Sequence, residues 1–402
     1  MLDDVRTLIG ETRAENTARP MESAAHERLR LRVLFVVAIL KLFNFVGGAW
    51  DIQWHVAIGR DSLFIPPHLL VLVAFAGGLL ITASMIAYET LLVSRGQAPI
   101  GTLRIGRLRA QGALFGIACG YLFALLSTLF DELWHELFGI DATLWSPPHL
   151  LIMVATVVVD FSLMLGITTS ARRLGYGFTL RSPLTWGLLL TGAYAFESVN
   201  FQMGEAFIIG FRHGGAGLYG LLFPILVGAV LPLSMITLIR LAGRNWIVLP
   251  TVALTLLLQY MATGIAALGF AILKPVSVID EYVLLNPDST TAKAREFASL
   301  LGFNGLIGFH QAWTMMLMFM PLVVVSLLGL HPWTRRHTLV AAPVFSVGMV
   351  LFSFLWFERM PALQGYPISG LDLILASGIS ALGGLLTGSL GLRLARLVPE
   401  PG

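Results

Sequence analysis

The sequence predicts an all-α fold, a polytopic transmembrane helical bundle of about ten spans, and three observations carry that expectation. Charge is scarce: of 402 residues 56% are hydrophobic and only 12% charged, against roughly a quarter charged in an ordinary soluble domain. The apolar residues come in long runs, such as Leu69 to Ala87, Leu150 to Thr168, Gly217 to Ile239 and Trp246 to Leu273, near or beyond the roughly 20 residues that cross a hydrocarbon core. These runs do not alternate with the period of two that a membrane β-barrel requires.

Residues 1–30 mix Arg6, Arg13, Arg19, Arg28 and Arg30 with acidic residues and lack the apolar core and cleavage site of a signal peptide. They read as a cytoplasmic N-terminal tail. Apolar runs between charged or Pro/Gly-rich breaks then predict helices over about 31–58, 66–94, 110–139, 147–171, 183–203, 215–241, 246–273, 305–330, 338–357 and 370–395. With ten spans both termini share one side. The tail and every second connection hold 19 basic residues and the opposite side six, Arg60, Arg212, Lys274, Lys293, Arg295 and Arg359. The positive side is cytoplasmic, so both termini are expected there, with the longest connection, about 274–304, on the outer face. The expected organisation is a tail, a duplicated metal-binding four-helix unit over 31–175, and a six-helix unit over 176–402. The setting expected is a bacterial or archaeal cytoplasmic membrane.

Some classes are excluded. The net charge of +3 arises from basic residues dispersed singly among apolar segments, which reports topology rather than nucleic-acid binding. The single cysteine, Cys119, lies within an apolar run, so neither an intrachain disulfide nor a cysteine metal site is available.

The chemistry lies in a repeat. The segment Asp51-Ile-Gln-Trp54-His55, continuing through Gly59, Arg60, Asp61, Phe64 and Pro66-Pro67-His68, recurs eighty residues later. The second copy is Asp131-Glu-Leu-Trp134-His135, followed by Gly139, Asp141 and Pro147-Pro148-His149, with one inserted residue. The first four helices thus read as tandem helical hairpins. Asp and His four residues apart share a helix face, one turn apart. Pro-Pro then starts the next helix, whose first turn tolerates the missing N–H, and this returns the second His towards the first pair. Asp51, His55 and His68, and likewise Asp131, His135 and His149, are the candidate metal ligands, near the outer face. Asp61 and Asp141 could orient an imidazole N–H, and Trp54 and Trp134 stand beside the ligands. The competing reading is an interfacial hydrogen-bonded network within an aromatic belt. Against it, ionisable residues are expensive at membrane depth, and here one carboxylate and two imidazoles recur in matching order. Such a set suits zinc, copper or non-haem iron.

At these residues the sequence resembles the C subunit of the membrane-bound copper monooxygenases, the particulate methane and ammonia monooxygenases. That subunit carries Asp-x3-His-x12-His with a Trp before the first His, an Arg-Asp pair after it and a Pro before the last His. Asp51, Trp54, His55, Arg60, Asp61, Phe64, Pro66 and His68 match in order and spacing. The family's second site is Asn-x3-His-x13-His, whose spacing Asp131, His135 and His149 share, with Asp in place of Asn. The resemblance covers about residues 40–170 and implies copper, one or two ions, with oxygen activation in this region. It further implies oxidation of a small apolar substrate, although no residue can be assigned a catalytic role. Metal transport or delivery, and a scaffold with structural metal, are the alternatives. Expected partners are the lipid bilayer and either a second copy of the chain or other membrane subunits.

Lys41 and Asp160 lie ten and eleven residues inward from Asp51 and His149, about 15 to 17 Å at 1.5 Å per residue. A shared depth predicts an ion pair between helices one and four. Glu197, Asn200, Gln202, Glu205 and His213 cluster around the outer end of the fifth helix and either line the same cavity as the metal motifs or fill an interfacial loop, the loop being the preferred reading because their spacing forms no repeated ligand pattern; His310 and Gln311 are read in the same way. Met315, Met316, Met318 and Met320 read as packing.

Overall fold

Among the described residues the long apolar runs fold as helices, because a backbone within hydrocarbon must satisfy its own hydrogen bonds. The computed structural model describes residues 19–21, 24–59, 62–138, 145–300, 318–327 and 335–399. The first four long helices are Ala24–Ala57 (α1), Pro66–Ser94 (α2), Gly112–Phe138 (α3) and Pro147–Arg173 (α4). They form two hairpins, α1 on α2 and α3 on α4, packed side by side. Then follow Pro183–Met203 (α5), Glu205–Arg212 (α6), Leu222–Ala242 (α7), Val248–Leu273 (α8), Ile279–Leu285 (α9) and Thr290–Leu300 (α10). The chain continues with Met318–Leu327 (α11), Arg335–Phe357 (α12) and Gly370–Ala395 (α13).

Local chemistry sets the boundaries. Prolines occupy the first turns of α2, α4 and α5, where no N–H is needed. Ser182 caps α5 by accepting from the Leu184 amide at 3.1 Å. Ser369 and Asp372 form a capping box at α13. Gly243, at φ 65°, ends α7 in the left-handed region that glycine enters without strain.

The chain is an all-α polytopic bundle and an integral membrane protein. Among the described residues eight helices are long and apolar enough to cross a membrane. Two expected spans fall outside that set. The helix over 183–203 forms within its expected bounds as α5, but it lies inside the bundle, touching α4, α7 and α8, and its polar residues lower its hydropathy. The span expected over 305–330 is described only at α11, where Met318 is fully buried; Met315, Met316, His310 and Gln311 lie outside the described residues.

Two features depart from the sequence reading. The connection expected as a plain loop holds Thr102–Ile105 (β3) and Leu108–Gln111 (β4), an antiparallel hairpin. It turns on Gly106 at φ 60°, since two-residue hairpin loops need a positive φ. Beside it, Arg19–Met21 (β1) pairs in parallel with Gln97–Pro99 (β2). The stretch 274–304 is largely helical where described, and Val278 donates its N–H to the Ile58 carbonyl at 2.8 Å, laying α9 across the end of α1.

The bundle has two chemically distinct ends. Arg172 donates to the carbonyls of Pro399 and Leu241, each at 2.7 Å, and Arg173 to that of Ile100 at 2.9 Å, gathering basic connections at one end. The duplicated motif lies at the other, with α9 and α10.

Candidate metal centre

The two hairpins converge their polar residues at one corner. In the first, Asp51 Oδ1 lies 3.5 Å from His55 Nε2 and 3.1 Å from His68 Nε2. Asp51, His55 and His68 each offer a ligand atom within 4.8 Å of the other two, the one such group among the described residues. In the second, Asp131 lies 3.6 Å from both His135 Nε2 and His149 Nε2.

The triads also adjoin. The His55 ring stacks on its repeat counterpart His135 with centroids 6.0 Å apart, and lies 6.4 Å from His149 and 6.2 Å from His68. His55 therefore stands at the centre of a cluster of two carboxylates and four imidazoles. His55, His68 and Asp131 are buried, and among the described residues neither carboxylate meets a Lys or Arg. One buried carboxylate and one half-buried carboxylate, each facing two imidazoles, favour cationic charge beside them, from protonated imidazole or from metal.

The hydrogen bonding of His68 sharpens that requirement. Its Nδ1 lies 2.9 Å from the Ser62 carbonyl oxygen, which can only accept, so Nδ1 carries the proton. In a neutral ring Nε2 then turns its lone pair towards Asp51 Oδ1, an acceptor facing an acceptor. A proton or a metal ion in that contact makes it favourable, and a ligating imidazole anchored through its other nitrogen is the usual arrangement. The donor set fits copper, zinc or iron.

Of the flanking residues, Asp61 and Asp141 lie outside the described residues. Trp54 stacks on Phe270 of α8, with centroids 5.9 Å apart, and so ties α1 to α8. Trp134 packs along its own helix against Phe138 at 4.3 Å and Phe130 at 6.1 Å. Lys41 Nζ stands 3.2 Å from Asp160 Oδ1, and Ser198 donates to Asp160 Oδ2 at 2.6 Å; Lys41 and Asp160 are both buried. Glu197, Asn200 and Glu205, read as loop residues from sequence, are buried instead.

Three contributors escaped the sequence reading. Ser62 acts through its backbone, which residue identity does not reveal. Trp145, legible from sequence only as a member of the interfacial aromatic belt, donates Nε1–H to the Gln202 carbonyl at 2.7 Å, holding the start of α4 against α5. Gly47 lets α1 and α2 approach closely, and the Gly47-Gly48 pair was its visible signal, since small residues mark close helix contacts in membranes. A Cβ at Gly47 would lie 2.7 Å from Val71 Cγ2 and 2.9 Å from the Pro67 carbonyl oxygen. Gly47→Ala is therefore expected to displace the first turn of α2, which carries His68. Overpacking of this kind costs about 1 to 3 kcal/mol, and metal affinity should fall. Gly264→Ala, whose Cβ would meet nothing within 4 Å, should bind as wild type; equal affinities for both variants would remove Gly47 from the account.

No family model matches the chain, and neither a curated protein nor a solved structure matches it. Its class is set by its own architecture: a polytopic helical membrane protein with a buried Asp/His cluster at one end of the bundle.

Proposed function

We propose that the chain binds copper at the paired Asp/His triads and uses it, in the manner of the copper monooxygenase C subunits that its motif resembles, to oxidise a small apolar substrate with oxygen. The observation that carries this reading is the closeness of Asp51, His55 and His68, with ligand atoms within 4.8 Å of one another and the second triad packed against His55. Asp51, His55 and His68 would hold one ion and Asp131, His135 and His149 a second. Bound copper would supply one-electron redox chemistry and a binding position for oxygen.

The protein's own residues do the rest. The Ser62 carbonyl holds His68 in the tautomer that directs Nε2 inward. Asp51 and Asp131 balance the charge of the ions, and α9 holds the end of α1 that carries His55. A substrate dissolved in the bilayer would reach this corner laterally. In this reading the basic end is cytoplasmic and the triads lie near the outer face. Cation transport is disfavoured by the Lys41 ammonium, which lies inward of the cluster.

Oxygen uptake tests the reading. Copper-loaded protein in nanodiscs, given a reductant and a short-chain hydrocarbon, is expected to consume oxygen and release the alcohol, and Asp51→Asn should lose both. Copper-loaded wild type that consumes no oxygen across a panel of hydrocarbons would overturn the oxidation step.

A further inference from the structure

α5 packs against both α4 and α7, and a cavity of about 200 Å³ is walled by all three helices. Most of its lining is aliphatic. Val154 and Val158 of α4 are 63% and 41% exposed; within a membrane-spanning helix they face hydrocarbon and mark the mouth. Val199 of α5 is buried and lines the interior with Leu233 of α7. The cavity thus opens sideways, towards lipid rather than water.

Three polar residues belong to its walls, and two of them are already engaged. Asp160 is held by Lys41 at 3.2 Å and by Ser198 at 2.6 Å. Gln202 Nε2 donates to the Met153 carbonyl at 3.3 Å, bridging α5 to α4. The third, Ser234 of α7, is only 1% exposed, and its hydroxyl makes no hydrogen bond to a described residue. A hydroxyl left unbonded in an apolar wall costs free energy. Water is a poor remedy, because a buried water needs about two to four polar partners and one free hydroxyl does not supply them. The occupant that answers both conditions has an apolar body and a single oxygen. An apolar cavity of about 150 Å³ admits benzene, so this one suits a molecule of about six to ten non-hydrogen atoms.

We propose that this cavity binds a compact apolar molecule carrying one oxygen, an alcohol or a ketone, which enters from the bilayer. Its body lies against Val154, Val158, Val199 and Leu233, and its oxygen meets Ser234 Oγ. The serine hydroxyl serves both kinds of ligand, donating to a ketone and either donating to or accepting from an alcohol. Val154 follows His149 by five residues, about 7 to 8 Å inward along α4 at 1.5 Å per residue. The cavity is therefore a site apart from the Asp/His cluster, and its occupancy depends on neither copper nor turnover.

Photolabelling tests it, on the full chain in nanodiscs without added metal, with a diazirine-bearing hexanol as probe and peptide mapping as readout. Wild type is expected to take label at Val154, Val158, Val199 or Leu233, and excess hexanol should displace it. Val158→Trp, which fills the mouth from a position already exposed, should lose that label. Ser234→Ala should need about fivefold more hexanol for the same displacement, the worth of one hydrogen bond, while displacement by hexane stays as in wild type. Label scattered over the lipid-facing residues of every span, and undiminished by hexanol, is bilayer partitioning and overturns the site. Equal displacement by hexanol in wild type and Ser234→Ala overturns the assignment of an oxygen-bearing ligand. Neither result bears on metal binding at the triads.

Discussion

Replacing Glu89 with alanine is expected to destabilise the protein by about 3 to 5 kcal/mol, the range for removing one partner of a buried ion pair. Arg30 and Glu89 are both fully buried. Glu89 accepts from Arg30 Nε at 2.6 Å and Nη2 at 2.9 Å, from the Gln111 amide at 2.9 Å, and lies 3.1 Å from His26 Nε2. Arg30 also donates to Glu27 and to the Ile100 carbonyl, and Arg173 reaches the same two acceptors. One carboxylate thus joins α1, α2 and the β3–β4 hairpin, and Arg30 extends the network through Glu27 and the Ile100 carbonyl to Arg173 at the end of α4. Without it, a guanidinium stays buried with half its donors unanswered. Glu89→Gln keeps the shape and some of the hydrogen bonds, so its loss should be smaller. Thermal unfolding in detergent, followed by circular dichroism, orders the three proteins; an Ala variant as stable as wild type would show that the network is dispensable.

His55→Ala is expected to have the largest effect on metal binding, lowering affinity at the first triad by more than the 10- to 100-fold typical of losing an outer partner of a ligand. The reason is its position. Its ring meets His68, His135 and His149 at once, so truncation removes a ligand from one triad and a wall from the other. His149→Ala should disturb chiefly the second triad. Competition with a chromophoric chelator separates these outcomes, and equal losses for the two variants would contradict a central role for His55.

Much of the architecture was legible because the signals were local. Pro66-Pro67, Pro147-Pro148 and Pro183 mark helix starts by removing an N–H that the first turn does not use, and α2, α4 and α5 begin there. The four-residue spacing of Asp51 to His55 and of Asp131 to His135 places each pair on one helix face whatever the rest of the chain does. What the sequence could not convey depends on how elements meet. The stacking of His55 on His135 follows from hairpin packing against hairpin. The burial of Glu197 follows from α5 lying inside the bundle, whereas a hydropathy reading sees only a polar helix end. The β3–β4 hairpin was hidden because strands of four residues leave too short a trace among the charges of a connection.

Metal content of the purified protein tests the central claim most directly. Elemental analysis after copper loading and removal of excess is expected to give about two ions per chain, falling to about one in His135→Ala, as ligand loss at one of two triads requires. Copper, zinc and iron all remaining far below one per chain in wild type would contradict the account, and the repeated Asp/His motif would then stand as a hydrogen-bonded structural corner.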